Sequence, residues 1–112
     1  MTNHPAGTIA VIFVAQRTGE DEAGYRAAAA RMEELASRQP GYAGIDSVRQ
    51  VAGLGITVSY WRDDGCAKAW RDNSEHTAIR ELGRKKWYSD YSLHVAAITR
   101  SYDWQKPGPE PE

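Results

Sequence analysis

Residues 59–102 read SYWRDDGCAKAWRDNSEHTAIRELGRKKWYSDYSLHVAAITRSY, and the order of elements inside this stretch decides the fold. A strand, residues 56–61, alternates Ile56, Val58 and Tyr60 against Thr57, Ser59 and Trp61, the period of two that a pleated strand requires. The acids at Asp63 and Asp64 then open a helix over residues 63–71, because negative charge favours the positive end of a helix. Ser74 is a good N-cap for a second helical piece, residues 74–86. The stretch closes in a strand, residues 92–102, apolar on one side through Leu93, Val95 and Ala97 and on the other through Ala96 and Ile98. It also holds three of the four tryptophans and four of the six tyrosines, enough aromatic surface to line one concave, mostly apolar pocket.

The N-terminal half completes the order. Residues 8–15 (TIAVIFVA) are a continuous, β-branched apolar run, the pattern of a strand buried on both faces. After the breaker Gly19, the acids Glu20, Asp21 and Glu22 introduce a helix to about Arg38. Tyr25, Ala28, Ala29, Met32, Leu35 and Ala36 share one stripe of it, and Pro40-Gly41 ends it. In residues 42–51 the apolar side chains Ile45, Val48 and Val51 are spaced by three, which predicts a bulge or a twist at a strand end. A glycine-rich turn over residues 52–55 leads into the next strand.

The order is therefore βαββαβ, an α+β ferredoxin-like arrangement with a four-stranded antiparallel sheet and both helices on one face. An open sheet face that carries apolar residues needs a cover. A second copy of the same sheet supplies one, so the expectation is a twofold homodimer. The division along the chain is a flexible N-terminal arm at 1–7, one domain at 8–104, and a proline-rich, charged, disordered tail at 105–112.

Composition excludes several classes. At 112 residues the chain is one domain, burying roughly two-thirds of its unfolded surface. A formal charge of −1 offers nothing to attract nucleic acid or an anionic membrane; the basic run Arg84, Lys85, Lys86 reads as a solvated helix face. The single cysteine, Cys66, excludes an internal disulfide and a multi-cysteine metal site, and no metal ligand set is expected. The opening residues MTNHPAGT lack a secretory pattern, and no apolar run approaches the ~20 residues of a membrane span. The chain reads as soluble and cytoplasmic.

Chemistry concentrates on the second helical piece. His76, Arg80, Gly83 and Trp87 fall at spacings of four, three and four, which align them on one helical face. His76, with a reference pKa of about 6.5, is the candidate base. Arg80 is the candidate partner for a phenolate, with Gly83 leaving room for a ring. Trp61, Trp70, Trp87, Tyr88 and Tyr91 are the candidate walls for a planar aromatic substrate. The competing readings are that Trp61 and Trp70 are core, that Trp87, Tyr88 and Tyr91 belong to a dimer interface, and that His76 is a surface residue. His94 reads as a sheet histidine, and His4 sits in the arm.

SYW at 59–61, AWR at 69–71, SEH at 74–76 and the GR..WY..Y run at 83–91, in a βαββαβ chain of this length, resemble the antibiotic biosynthesis monooxygenase superfamily of dimeric α/β-barrel proteins. The resemblance covers residues 8–104. It implies an oxidoreductase: a small monooxygenase that oxygenates an aromatic or quinol-like molecule without a cofactor. The alternatives are a heme-binding or heme-degrading monooxygenase, and a non-catalytic dimeric module that binds a small aromatic ligand. The heme-degrading branch uses an asparagine on the first strand, a tryptophan after the third, and a ligating histidine ten residues later. Trp70 matches the tryptophan, but Arg80 stands at the histidine position and residues 8–15 contain no asparagine. Weak or absent heme binding is therefore expected.

Overall fold

In the computed structural model, residues 3–109 are described. The elements are β1 (Ile9–Arg17), α1 (Glu22–Ser37), β2 (Tyr42–Arg49), β3 (Leu54–Trp61), α2 (Asp64–Arg71), α3 (Ser74–Leu82), a π-helical turn (Gly83–Trp87) and β4 (Tyr88–Ala97). The strands form one antiparallel sheet in the order β2-β3-β1-β4. This is the ferredoxin-like α+β arrangement that the sequence predicts.

Register sorts the strand residues onto two faces. Ile9, Val11, Phe13, Ala15 and Arg17 pair with Trp61, Ser59, Thr57 and Gly55 of β3 and with Ala97, Val95, Leu93, Tyr91 and Tyr88 of β4. That face meets the helices. Its core is Trp61 and Trp70 with Ala36 and Ala67, filled in by Ile9, Val11, Met32, Leu35 and Tyr42. A second cluster joins Tyr25 and Ala28 of α1 to Trp87. The stripe expected on α1 is therefore the buried one. The opposite face carries Ile12 and Val14 of β1, with exposed Leu54 and Ile56 of β3 and exposed Val48 of β2.

Two local expectations, the α3 cap and the extent of the last strand, are corrected, and the bulge expected in residues 42–51 falls at the start of β2. The N-cap of α3 is Asn73, whose extended backbone lets its side chain accept from the amides of Glu75 (3.0 Å) and His76 (3.1 Å); Ser74 is already inside the helix. The bulge in β2 lies between Tyr42 and Gly44, so that Tyr42 and Ile45 both face the helices. Val48 faces the open side, and Val51 belongs to the following turn. The last strand starts at Tyr88 and stops at Ala97, because its partner β1 begins at Ile9. One further bond pair, Ile98 N to Thr8 O and Gly7 N to Ile98 O, ends the ladder, and residues 99–109 run without regular structure.

His4, from the expected arm, stacks on Tyr60 at 4.0 Å with an interplanar angle of 18°, and its amide meets Ser101 Oγ at 3.4 Å. Residues 1–2 of the expected arm and 110–112 of the expected tail lie outside the described residues. No helix among the described residues is long and apolar enough to cross a membrane.

Candidate active site

Aromatic rings stack in series at one end of the helix-covered face. Trp61 lies against Trp70 at 5.8 Å and 23°, and Trp70 lies against His76 at 4.2 Å and 11°. Tyr42 meets Trp61 edge-on at 5.8 Å. Sequence explains the arrangement: Trp61 ends β3 on the helix side, and α2 begins three residues later with Asp63 accepting from the Cys66 amide at 2.8 Å. Trp70 is then delivered onto Trp61 one helix later. Asn73 stops α2 and caps α3, which folds His76 back over Trp70. The bidentate pair of Arg31 with Glu75, at 2.7 and 3.0 Å, ties α3 to α1.

The polar state of His76 follows from its contacts. Its Nδ1 lies 3.0 Å from the Trp70 carbonyl oxygen. A carbonyl only accepts, so Nδ1 carries the proton and Nε2 keeps its lone pair. Burial and then the nearby Arg80 guanidinium hold the imidazole below its ordinary 6.5, against the opposing pull of the Trp70 bond. The result at neutral pH is a neutral, oriented imidazole with Nε2 unprotonated. Arg80 directs Nη1 to the Arg71 carbonyl at 3.4 Å, and its buried Nε has no partner among the described residues.

The structure groups the predicted residues differently from their helical spacing. His76, Arg80, Trp70 and Trp61 form the one assembly just described. Trp61 has no exposed surface, so its part there is to back Trp70. Trp87 and Tyr88 lie in the second cluster, edge-on to Tyr25 at 6.0 and 6.1 Å. The break comes from the π-helical turn, which adds an extra residue to the turn and rotates Trp87 away from the α3 face. Gly83 does leave room for a ring, but that ring is Tyr88: a Cβ at position 83 would stand 2.7 Å from its edge. Tyr91 accepts from Arg84 Nε at 2.8 Å and packs near Phe13. His94 stands exposed on the open face opposite Ile12.

Two groups escaped the sequence reading. Leu93 and Val95 share the helix-side face with Phe13 and Val11 yet remain about half exposed, at 52% and 54%. They form an apolar shelf along β4 beside Val11, which touches the Trp61–Trp70 core. Their period-two spacing marks a strand face and does not say whether a helix covers it. Arg17 and Arg49 converge on Tyr25. Only three-dimensional pairing of β1, β2 and α1 brings them together.

No group of three or more histidines, cysteines or acids is placed to hold a metal among the described residues. The site does not fit the heme-degrading ligand pattern either. Position 80 carries a guanidinium, which cannot ligate iron, and β1 has no asparagine.

The sequence pattern of the antibiotic biosynthesis monooxygenase family matches residues 8–82, and the chain belongs to that family. It is 43% identical over 97 residues to the uncharacterized protein YqjZ of Bacillus subtilis (strain 168), covering 87% of this chain and 84% of YqjZ. Rv0793 from Mycobacterium tuberculosis superposes with a TM-score of 0.72 at 15% identity, covering 81% of this chain and 94% of that one. SnoaB, described as a cofactor-independent oxygenase from Streptomyces nogalater, superposes with a TM-score of 0.69 at 15% identity, covering 94% and 100%. At such identities the two structures share the fold.

Proposed function

We propose that this protein is a cofactor-free monooxygenase of a homodimeric kind, acting on an aromatic or quinol-like small molecule. The carrying observation is His76, whose Nδ1–H is committed to the Trp70 carbonyl, leaving a neutral Nε2 to take a proton. Family membership and the likeness to SnoaB support the same class. The substrate ring would lie against the Leu93–Val95 shelf and the edge of Trp70, with Tyr88 and Tyr91 beyond Phe13 on the same face. Trp61 and Trp87 hold these walls from behind.

The chemistry asks little of the protein. His76 removes the phenolic proton, and the electron-rich phenolate passes one electron to O2. Arg80 lowers the energy of the anion, and recombination of the radical pair forms a carbon–oxygen bond. Loss of water then turns a ring CH2, present in the keto tautomer, into C=O. One oxygen atom of O2 enters the product and the other leaves as water, so no outside reductant is consumed.

Anthrone, whose enol is such a phenol, tests this directly. With labelled O2 in chelator-treated buffer, one labelled oxygen should enter the product, and His76→Ala should slow turnover by ~100-fold or more. Unlabelled product, or equal turnover by the variant, refutes the role of His76. Binding of anthrone without oxygen uptake would indicate a ligand-binding module instead. A stoichiometric hemin complex whose Soret band disappears with ascorbate and oxygen would move the protein to the heme-degrading branch.

The dimer rests on the open face. Ile12, Val14, Val48, Leu54 and Ile56 form an apolar surface that a second sheet would cover. Light scattering should give a dimer burying more than ~1,000 Å² in total, and a monomer at micromolar concentration refutes it.

A further inference from the structure

At the far end of the helix-covered face from His76, two arginines meet around one tyrosine. Arg17, ending β1, and Arg49, ending β2, place their guanidinium carbons 4.9 and 5.5 Å from the centre of the Tyr25 ring. Arg49 Nε donates to the Tyr25 hydroxyl at 2.6 Å. Arg17 Nε donates to Glu22 at 3.2 Å, but its buried Nη1 has no partner among the described residues. Glu22 is also shared with Arg26, at 3.8 Å. Two guanidinium groups held against the same ring repel each other, and an anion between them converts that repulsion into attraction.

The space in front of them suits a small molecule. A cleft of about 400 Å³ opens between α1 and the β2–β3 turn, bounded by Arg17, Tyr25 and Arg49 at its base. Such a volume is within the usual ligand-pocket range of about 300–1,000 Å³. Ala29 and Ala30 of α1 and Val51 of the turn line its walls. Three arginines and two glutamates border it, a balance of one positive charge: Arg17, Arg26 and Arg49 against Glu22 and Glu33. Behind the arginines lies a cavity of about 10 Å³, room for one water, shared with Tyr88 and Gly55. Burial keeps the Tyr88 phenol protonated, and so a donor, well above its ordinary range. Gly55 lets the Arg49 stem lie flat on the sheet, since a Cβ there would stand 3.3 Å from Arg49 Cγ.

We propose that this cleft binds a small organic monocarboxylate, its head group held by the cleft-lining Arg17 and Arg49 guanidinium groups and its apolar body along Ala29, Ala30 and Val51. One net positive charge selects a monoanion, and the planar forks select a carboxylate over a bare spherical ion. The small apolar walls select a body over a free inorganic anion. None of the residues lining the cleft belongs to the Trp61–Trp70–His76 stack; Phe13 and Tyr88, beside the proposed substrate, line only the small cavity behind it.

The test titrates the full chain with phenylacetate, phenylacetamide and inorganic phosphate by calorimetry. Phenylacetate should saturate one site per chain, with the amide and phosphate each weaker by about tenfold or more, ~1.4 kcal/mol. Arg49→Gln, at an exposed position, should weaken phenylacetate by a similar factor and lower the thermal melt by no more than Tyr25→Phe does, since both remove the one Arg49–Tyr25 hydrogen bond. Gly55→Val, which crowds the Arg49 stem without removing a charge, should weaken it as well. Equal affinity for the amide, equal affinity for phosphate, no saturation by phenylacetate, or wild-type affinity in Arg49→Gln would each overturn the proposal.

Discussion

Trp61, Trp70 and His76 at one end of the helix-covered face are a dry stack of flat rings with one polar atom committed to a carbonyl. Arg17, Arg49, Tyr25 and Tyr88 at the other end are a charged ring of donors around a water-sized cavity. The same sheet supports both, because β1 contributes Ile9 and Val11 to the first and Ala15 and Arg17 to the second. Apolar burial stabilises the first end, in proportion to the area removed from water. Each end also leaves a buried arginine donor without a partner among the described residues, Arg80 Nε at the first and Arg17 Nη1 at the second, which opposes folding unless a ligand or water satisfies it.

The largest expected effect breaks the first end. Trp61→Ala removes a side chain with no exposed surface, and should lower stability by ~3–5 kcal/mol in urea unfolding. A loss below about 1 kcal/mol would mean that the stack is not the core. Next in size is Asn73→Ala, which frees two amides at the start of α3. It should cost about 1 kcal/mol of stability and, by loosening His76, reduce anthrone turnover too. A stability loss with intact turnover would show that the cap does not position the base. Tyr25→Phe probes the charged end. Arg49 is exposed, so water replaces the lost hydroxyl and stability should fall by only ~0.5–1 kcal/mol, read by thermal melting.

The smallest effect is a pH slope. The folded His76 pKa lies below its unfolded value near 6.5, so the unfolded chain binds the proton first on acidification. The stability contributed by neutral His76 is therefore complete above about 6.5 and falls as pH drops from there through the folded pKa. Unfolding at successive pH values should show this decline, and His76→Gln should flatten it. An NMR titration placing the folded His76 pKa above 6.5 would reverse the sign and remove the argument for a neutral base.

Much of the molecule was legible along the chain. The apolar runs of β1 and β4, the α1 stripe from Tyr25 to Ala36, and the acids before α1 and α2 report local periodicity and helix-end electrostatics. Both act between near neighbours, so one sequence suffices to read them. The pairing of Trp70 with His76 was also accessible, since six residues and a helix break separate them. The grouping of Trp87 with His76 was not, because one extra residue in the π-helical turn changes the face and leaves no mark in the spacing. The half-bare shelf of Leu93 and Val95, and the meeting of Arg17, Tyr25 and Arg49, depend on which strands are neighbours and which helix lies above them. Hydrogen-bond register and packing across the whole chain determine those contacts, over sequence separations that no local pattern encodes.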